Sequence, residues 1–404
     1  MTYCIGLMID DAPSPKFVEA LKEMEFALSQ SRPYNIELPR GQGKTSAAEM
    51  AVLYLLATGK RKFCVIVSNN ARAATNILKD IWRPIAEKDT AFAQDFPEVC
   101  LPFQDCDGAY RRRQLYRGQP TELVKNNGTI QLARLVKDDG TEYATSGSVI
   151  TVRGITSGIR GLKVGKLRPD TIILDDLQSA ETAANIEQVE KISDIIKRDI
   201  MNLSSKGKLA VLMTSTPICP EDLCDKIEHD IAWKTTKYPA IINWPKDLDN
   251  HPDDGLWAEY FRMFDSELAE DSPHTKSLEF YKKNREKMDE GAQLFSPDRY
   301  KISDGHISGL QALLEKRHMI GDSAFQAEMQ MKPKAFTFKL AISPRDVLRK
   351  VTATPQFVVP DEYLFVAAST DLNVSYCLTT AIVAFKPDMT AHVLHHMFTR
   401  CKID

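Results

Sequence analysis

The chain has 404 residues, 43% apolar and 26% charged, with a formal net charge of −3. This is ordinary globular composition, long enough for a sizeable core and for two domains or three. The near-neutral balance excludes binding to nucleic acid through total charge, so any such contact must come from a local patch or groove.

Eight cysteines are scattered without a C-x-x-C pair, and Cys100/Cys106 and Cys219/Cys224 are spaced too widely for a zinc knuckle. They read as reduced, mostly buried thiols. No apolar run reaches the ~18 residues of a membrane span, and the N-terminus lacks a basic segment followed by an apolar one. The expected location is cytoplasmic, with no membrane partner.

In chain order, Ser14-Pro15 is a helix start, with proline at the first helical position and Phe17, Leu21, Met24 and Leu28 on one face. Tyr34–Leu38 is a short strand. Thr45–Thr58 is a helix closed by Gly59. Lys62–Ser68 is an apolar strand and Arg72–Ala86 the next helix. The alternation points to a parallel sheet covered on both faces. Ser148–Val152, Thr171–Leu174 and Leu209–Thr214 are further strand candidates. Between them, Ala184–Leu203 is amphipathic, with Ile186, Val189, Ile196, Ile200 and Leu203 in register.

Beyond residue 240 the composition shifts. Trp244–Pro273, rich in Asp, Glu, Pro and aromatics, reads as loops around the sheet. Leu278–Glu290 and Leu310–Met331 read as helices. Residues 341–360 fall in a proline-bearing stretch that reads as a linker. Strands are expected at Tyr363–Ser369, Thr379–Phe385 and His392–Phe398.

The strongest chemical signal is Pro39-Arg40-Gly41-Gln42-Gly43-Lys44-Thr45 between a strand and a helix. A phosphate-binding loop needs inward-facing backbone N–H groups, glycine-permissive dihedrals and a helix N-terminus beside the anion. Gly41, Gln42 and Gly43 form the turn, Lys44 would reach the β- and γ-phosphates, and the Thr45 hydroxyl would ligate Mg²⁺. The full pattern has glycine where this chain has Leu38. Arg40 could place a guanidinium on the γ-phosphate or be a solvated loop arginine.

Thr171-Ile172-Ile173-Leu174-Asp175-Asp176 puts two acids at the C-terminal end of a strand, where ligands bind in open α/β sheets. Asp175 would hold Mg²⁺ and Asp176 would orient or deprotonate the attacking water, with Glu181 as the alternative. Thr214, Ser215 and Thr216 end another strand and could sense the γ-phosphate. Tyr110–Arg117 is a basic cluster with two aromatics, fit for a phosphate backbone or a solvated face. Arg160 lies between glycines. Asp371 follows an apolar strand, as the first metal-binding carboxylate of a two-metal nuclease often does. Asp388 and Asp404 come later, and His392, His395 and His396 read as strand-edge residues.

These motifs, in this order, resemble the large terminase subunit of tailed bacteriophages and prophages. The resemblance runs over most of residues 34–340. It rests on P-R-G-Q-G-K-T (39–45), Q-L-Y-R-G-Q-P-T (114–121), G-I-T-S-G-I-R-G (154–161), R-P-D-T-I-I-L-D-D (168–176) and T-S-T-P (214–217). Y-P-A-I (238–241), F-Y-K-K-N-R-E-K-M-D-E-G-A (280–292) and F-Q-A-E-M-Q (325–330) complete it.

The resemblance implies a P-loop NTPase of the ASCE/RecA-like class, a parallel sheet with flanking helices over residues 1–340. A linker (341–360) and the start of an RNase H-like nuclease (361–404) follow. It implies ATP and Mg²⁺ as cofactors, with Mg²⁺ or Mn²⁺ at the nuclease. The implied activity is translocation of viral double-stranded DNA into a procapsid in the infected bacterial host, with cutting of concatemeric DNA. The implied partners are double-stranded DNA, a small terminase subunit, a portal protein and a homo-oligomeric ring of this chain. In this family the first loop glycine is often missing and an arginine occupies the Arg40 position. Arg160 matches a position proposed to act across the ring, T-S-T-P matches a coupling motif, and Asp371 matches the first nuclease aspartate. The acid pair departs from the commoner Asp-Glu. The remaining nuclease acids are normally well downstream, so the nuclease is expected to be incomplete. The alternatives are a helicase-like DNA-dependent ATPase of another lineage and a non-enzymatic truncated remnant.

Overall fold

The structure is a computed structural model that describes residues 1–8, 12–30, 32–106, 115–204, 209–270, 274–333, 363–373, 377–387 and 391–400. The chain divides into two compact units, Met1–Ala335 and Phe336–Asp404. The expected linker lies outside the described residues, as do Tyr110–Gln114, Asp388 and Asp404.

In the first unit, α1 (Pro15–Ser29) is capped by Ser14, whose hydroxyl accepts the Phe17 N–H, and it buries Phe17, Leu21, Met24 and Leu28. β1 (Tyr34–Glu37) leads through the loop into α2 (Lys44–Thr58), which ends at Gly59 in a left-handed conformation. α2 is apolar nearly all round because it is buried nearly all round. β2 (Phe63–Ser68) and α3 (Ala71–Ala86), capped by Asn70, follow.

β3 (Val124–Asn126), β4 (Thr129–Gln131), β5 (Val149–Gly154) and β6 (Thr171–Asp175) come next. α4 (Ile186–Asp194) runs on into π-helical turns at Ile195–Ile200. β7 (Ala210–Ser215), α5 (Leu223–Glu228) and β8 (Lys234–Lys237) finish this layer. Val189, Ile196, Ile200 and Leu203 are buried as their register requires, but Ile186 is exposed at the first turn of α4.

The eight strands form one sheet in the order β8-β1-β7-β6-β2-β5-β4-β3. The first six are mutually parallel, while β5–β4 and β4–β3 are antiparallel. The sheet is therefore mixed and predominantly parallel. The short hairpin Val124–Gln131 and the edge strand Lys234–Lys237 carry few apolar residues, so hydrophobic pattern does not reveal them. One strand, β7, separates the loop strand β1 from the acid strand β6.

Side chains alternate across the sheet. Ile36, Ile66, Ile173 and Leu212 join a core beneath α1, α2 and α3. Val65, Val67, Ile172, Leu174, Val211 and Met213 join a second core with Ile192, Ile196 and Ile200. The register sets Asp175 level with Ser68 on one side and Thr214 on the other, and Glu37 level with Ser215. The C-terminal ends of four adjacent strands thus form one rim.

The segment Trp244–Pro273, read above as loops, instead contains α6 (Leu256–Ala269). With α7 (Thr275–Met288), α8 (Gly309–Ile320) and α9 (Asp322–Gln330) it builds a third core. Trp257, Tyr260 and Phe264 sit at helical spacing and are buried, a period hidden by the surrounding acids. The single helix expected over Leu310–Met331 is two helices, broken at Gly321 with φ 84° and ψ 151°, a conformation outside the helical region. Among the described residues no helix is long and apolar enough to cross a membrane. Cys4, Cys64, Cys100, Cys106 and Cys224 are buried free thiols, and Cys219 is half-buried.

The second unit contains an antiparallel meander of β9 (Phe365–Asn373), β10 (Cys377–Phe385) and β11 (Ala391–Arg400). Asp371 lies within β9 rather than after it, opposite Thr379.

Candidate functional site: a phosphate loop facing an acid strand

The loop leaves β1 and turns twice through left-handed glycines, Gly41 at φ 78° and Gly43 at φ 82°. A side chain at Gly43 would be strained at that φ and would also press on the Phe17 ring, 3.3 Å from its Cβ. Gly43 is the N-cap of α2, so the first N–H groups of the helix open toward the loop. Gln42 is tucked in at 8% exposure, with its side-chain oxygen buried and unpartnered.

Lys44, 8% exposed, donates to the Thr216 hydroxyl at 2.7 Å and to Asp176 Oδ1 at 3.1 Å. Thr216 in turn donates to the Leu38 carbonyl at 2.8 Å, tying the ends of β7 and β1 together beneath the lysine. Thr45 donates to Asp175 Oδ2 at 3.1 Å, and Thr214 donates to Asp175 Oδ1 at 2.7 Å. Asp175 is buried, and that burial raises its carboxyl pKa against the lowering effect of Thr214, Lys44 and Thr45.

Asp176 is exposed and has φ 47°, a left-handed conformation that aspartate tolerates better than most residues. Its N–H donates to the Thr214 carbonyl at 3.1 Å. The turn thus sends the two consecutive acids to different partners, Asp175 to Thr45 and Asp176 to Lys44. Ser215 lies between two inward hydroxyls and points to the opposite face, as strand alternation requires. It donates to Asn35 Oδ1 at 2.7 Å, and Asn35 Nδ2 donates to Glu37 Oε1 at 3.1 Å. Burial pushes the Glu37 carboxyl up to about 7.

The other expected residues lie apart from this cluster. Arg40 is mostly exposed and pairs with Glu328 of α9 at 2.8 Å, while its N–H donates to the Glu328 carbonyl at 3.0 Å. Arg160 is exposed and pairs with Asp199 at 2.6 Å. Glu181 is exposed in the short helix Ala180–Ala183. Arg117 stacks over the Tyr116 ring at 5.2 Å, and the arginines at 111–113 lie outside the described residues.

Several polar residues here escaped sequence reasoning. A cavity of about 270 Å³ opens beside Thr45 and Asp175, and Glu49, Ser68, Asn69, Asp80 and Asp176 also line it. Glu49 is 5% exposed. Burial, with the charges of Asp80 and Asp175 adding to it, pushes its carboxyl up to about 8. Its position four residues after Thr45, on one helix face, was the available signal. Asn35, Glu37 and Glu328 carried none.

No protein-family model matches this sequence, and no curated protein matches it. Among solved structures, the chain is similar to the ATPase domain of a Thermus phage large terminase, at 14% identity and a TM-score of 0.34 over 80% of this chain and 99% of that one. It is similar to the HK97 bacteriophage large terminase at 13% identity and a TM-score of 0.41, over 96% of this chain and 63% of that one. A third similar structure is the large terminase of a thermophilic bacteriophage in complex with ADP, at 10% identity and a TM-score of 0.35 over 96% and 69% of the two chains.

Proposed function

We propose that this chain is an ATP-hydrolysing motor of the large-terminase kind, which moves viral double-stranded DNA into a procapsid. The observation that supports this reading best is the convergence of Lys44, Thr45, Asp175, Asp176 and Thr216 from three strand ends of one sheet. A lysine at a helix N-terminus, a hydroxyl facing a buried carboxylate and a second, accessible acid are the groups phosphoryl transfer to water requires.

In this reading the loop N–H groups and Lys44 bind the phosphates, Lys44 leaving Asp176 to do so. Thr45 and Asp175 would hold Mg²⁺, which supplies charge neutralisation on the β- and γ-phosphates. The residues present fit that ion. A hydroxyl and a carboxylate already face each other, and the unpartnered Ser68 hydroxyl lines the space beside them. Asp176, once released, orients the attacking water and accepts its proton; the exposed Glu181 is the alternative. Thr214 and Thr216 touch Asp175 and Lys44, and Ser215 carries the same strand end to Asn35. Displacement of β7 would therefore reach the β1 edge. In this reading Arg40 exchanges Glu328 for a γ-phosphate, and Arg160 acts on a neighbouring copy in a ring.

The small terminase subunit, the portal protein and the infected bacterial cytoplasm belong to the same proposal. So does an RNase H-like nuclease beginning at β9, with Asp371 as its first carboxylate for Mg²⁺ or Mn²⁺. Fluorescent-ATP binding tests the nucleotide half directly. Saturable, Mg²⁺-dependent binding that K44A removes is expected, and binding unaffected by K44A would overturn it.

A further inference from the structure

Resting on that nucleotide-and-magnesium reading, we infer that Glu49, Asp80 and Ser68 form the far wall of the magnesium site and hold the waters that complete the ion's coordination shell.

The placement follows from helix geometry. Thr45 and Glu49 are one turn apart on the same face of α2, so Glu49 lies about 6 Å further along the axis from the phosphates. That is too far to share the ion directly with Thr45 and suits contact through a water. Asp80 approaches from α3, and Ser68 ends β2 level with Asp175. Between them and the Thr45–Asp175 pair lies the cavity of about 270 Å³.

Three features point to a ligand there rather than to a structural acid pair. The Ser68 hydroxyl is 3% exposed, lines the cavity and has no hydrogen-bond partner among the described residues. Buried hydroxyls are rarely left so, and one facing a cavity is placed for a water. Glu49 is 5% exposed and its side-chain hydrogen-bond partner is another acid, Asp80, with the Arg83 charge nearby, an arrangement that an apolar residue of the same volume would avoid. The chemistry of the ion supplies the third. Mg²⁺ demands six oxygen ligands, keeps several waters, and takes only one or two side chains from the protein.

The test is Mn²⁺ binding to the full chain saturated with ADP, read by electron paramagnetic resonance, beside ADP affinity in EDTA. E49Q is expected to weaken Mn²⁺ about 10-fold or more, as removal of outer-shell groups does at other metal sites. S68A and D80N are expected to weaken it less, and ADP affinity in EDTA is expected to stay unchanged in all three. Mn²⁺ affinity equal to the parent's in E49Q, S68A and D80N overturns the inference alone. If E49Q does not fold, the two remaining variants decide it. Failure of the parent–ADP complex to bind Mn²⁺ beyond free ADP overturns the nucleotide reading as well.

Discussion

The Thr45 hydroxyl donates to Asp175 across 3.1 Å, joining the start of α2 to the end of β6 over 130 residues of sequence. The bond exists because β7 sits between β1 and β6 and brings Thr214 to the other oxygen of the same carboxylate. A buried acid is tolerated here because two hydroxyls satisfy it.

Thr214 is therefore expected to matter for stability as well as function. T214V keeps the shape and removes the 2.7 Å bond to Asp175. Leaving a buried carboxylate oxygen short of a donor costs about 1–3 kcal/mol. The check is urea unfolding, where the midpoint is expected to fall with the slope unchanged. An unchanged midpoint would show that the bond contributes nothing.

The ends of the central strands were legible because short apolar runs finish in polar residues with a phosphate-loop logic. Lys44, Thr45, Asp175 and Thr214 followed from that pattern, and the structure groups them. Ser68 was not legible, because its place beside Asp175 depends on the strand register and no local pattern encodes that. Glu49 offered only its place one helical turn after Thr45. The helical unit around Trp257 was missed because its acids mask an apolar face. Arg40 and Arg160 were read for a phosphate, yet within one chain each finds a carboxylate, Glu328 and Asp199, hundreds or tens of positions away.

Glu37 gives stability a pH dependence. Its carboxyl is fully buried, and its pKa rises from the ordinary 4.5 to about 7, chiefly because burial disfavours the charge. The folded state thus holds a proton that the unfolded state has lost, and stability falls as pH rises from about 4.5 to about 7. A shift of that size is worth on the order of 3 kcal/mol. E37Q keeps the acceptor for Asn35 and cannot ionise, so its thermal midpoint is expected to decline less over this window. A parent-like decline in E37Q would remove Glu37 as the cause.

Arg160 separates stability from turnover. Its ion pair with Asp199 is largely exposed on the arginine side, and such pairs contribute about 0–1 kcal/mol. R160A is expected to unfold at nearly the parent urea concentration and to bind ATP as the parent does when dilute. Turnover is expected to fall where the chain assembles into a ring. Parent-like turnover in the assembled state would end the reading of Arg160 as a residue acting between copies.

Hydrolysis of ATP by the intact chain, with and without double-stranded DNA, bears most directly on the motor reading. The account predicts turnover that DNA stimulates and that K44A lowers by about 100-fold or more, as loss of a phosphate-stabilising cation does. Turnover in K44A equal to the parent's, or a parent whose hydrolysis DNA leaves unchanged, would contradict it.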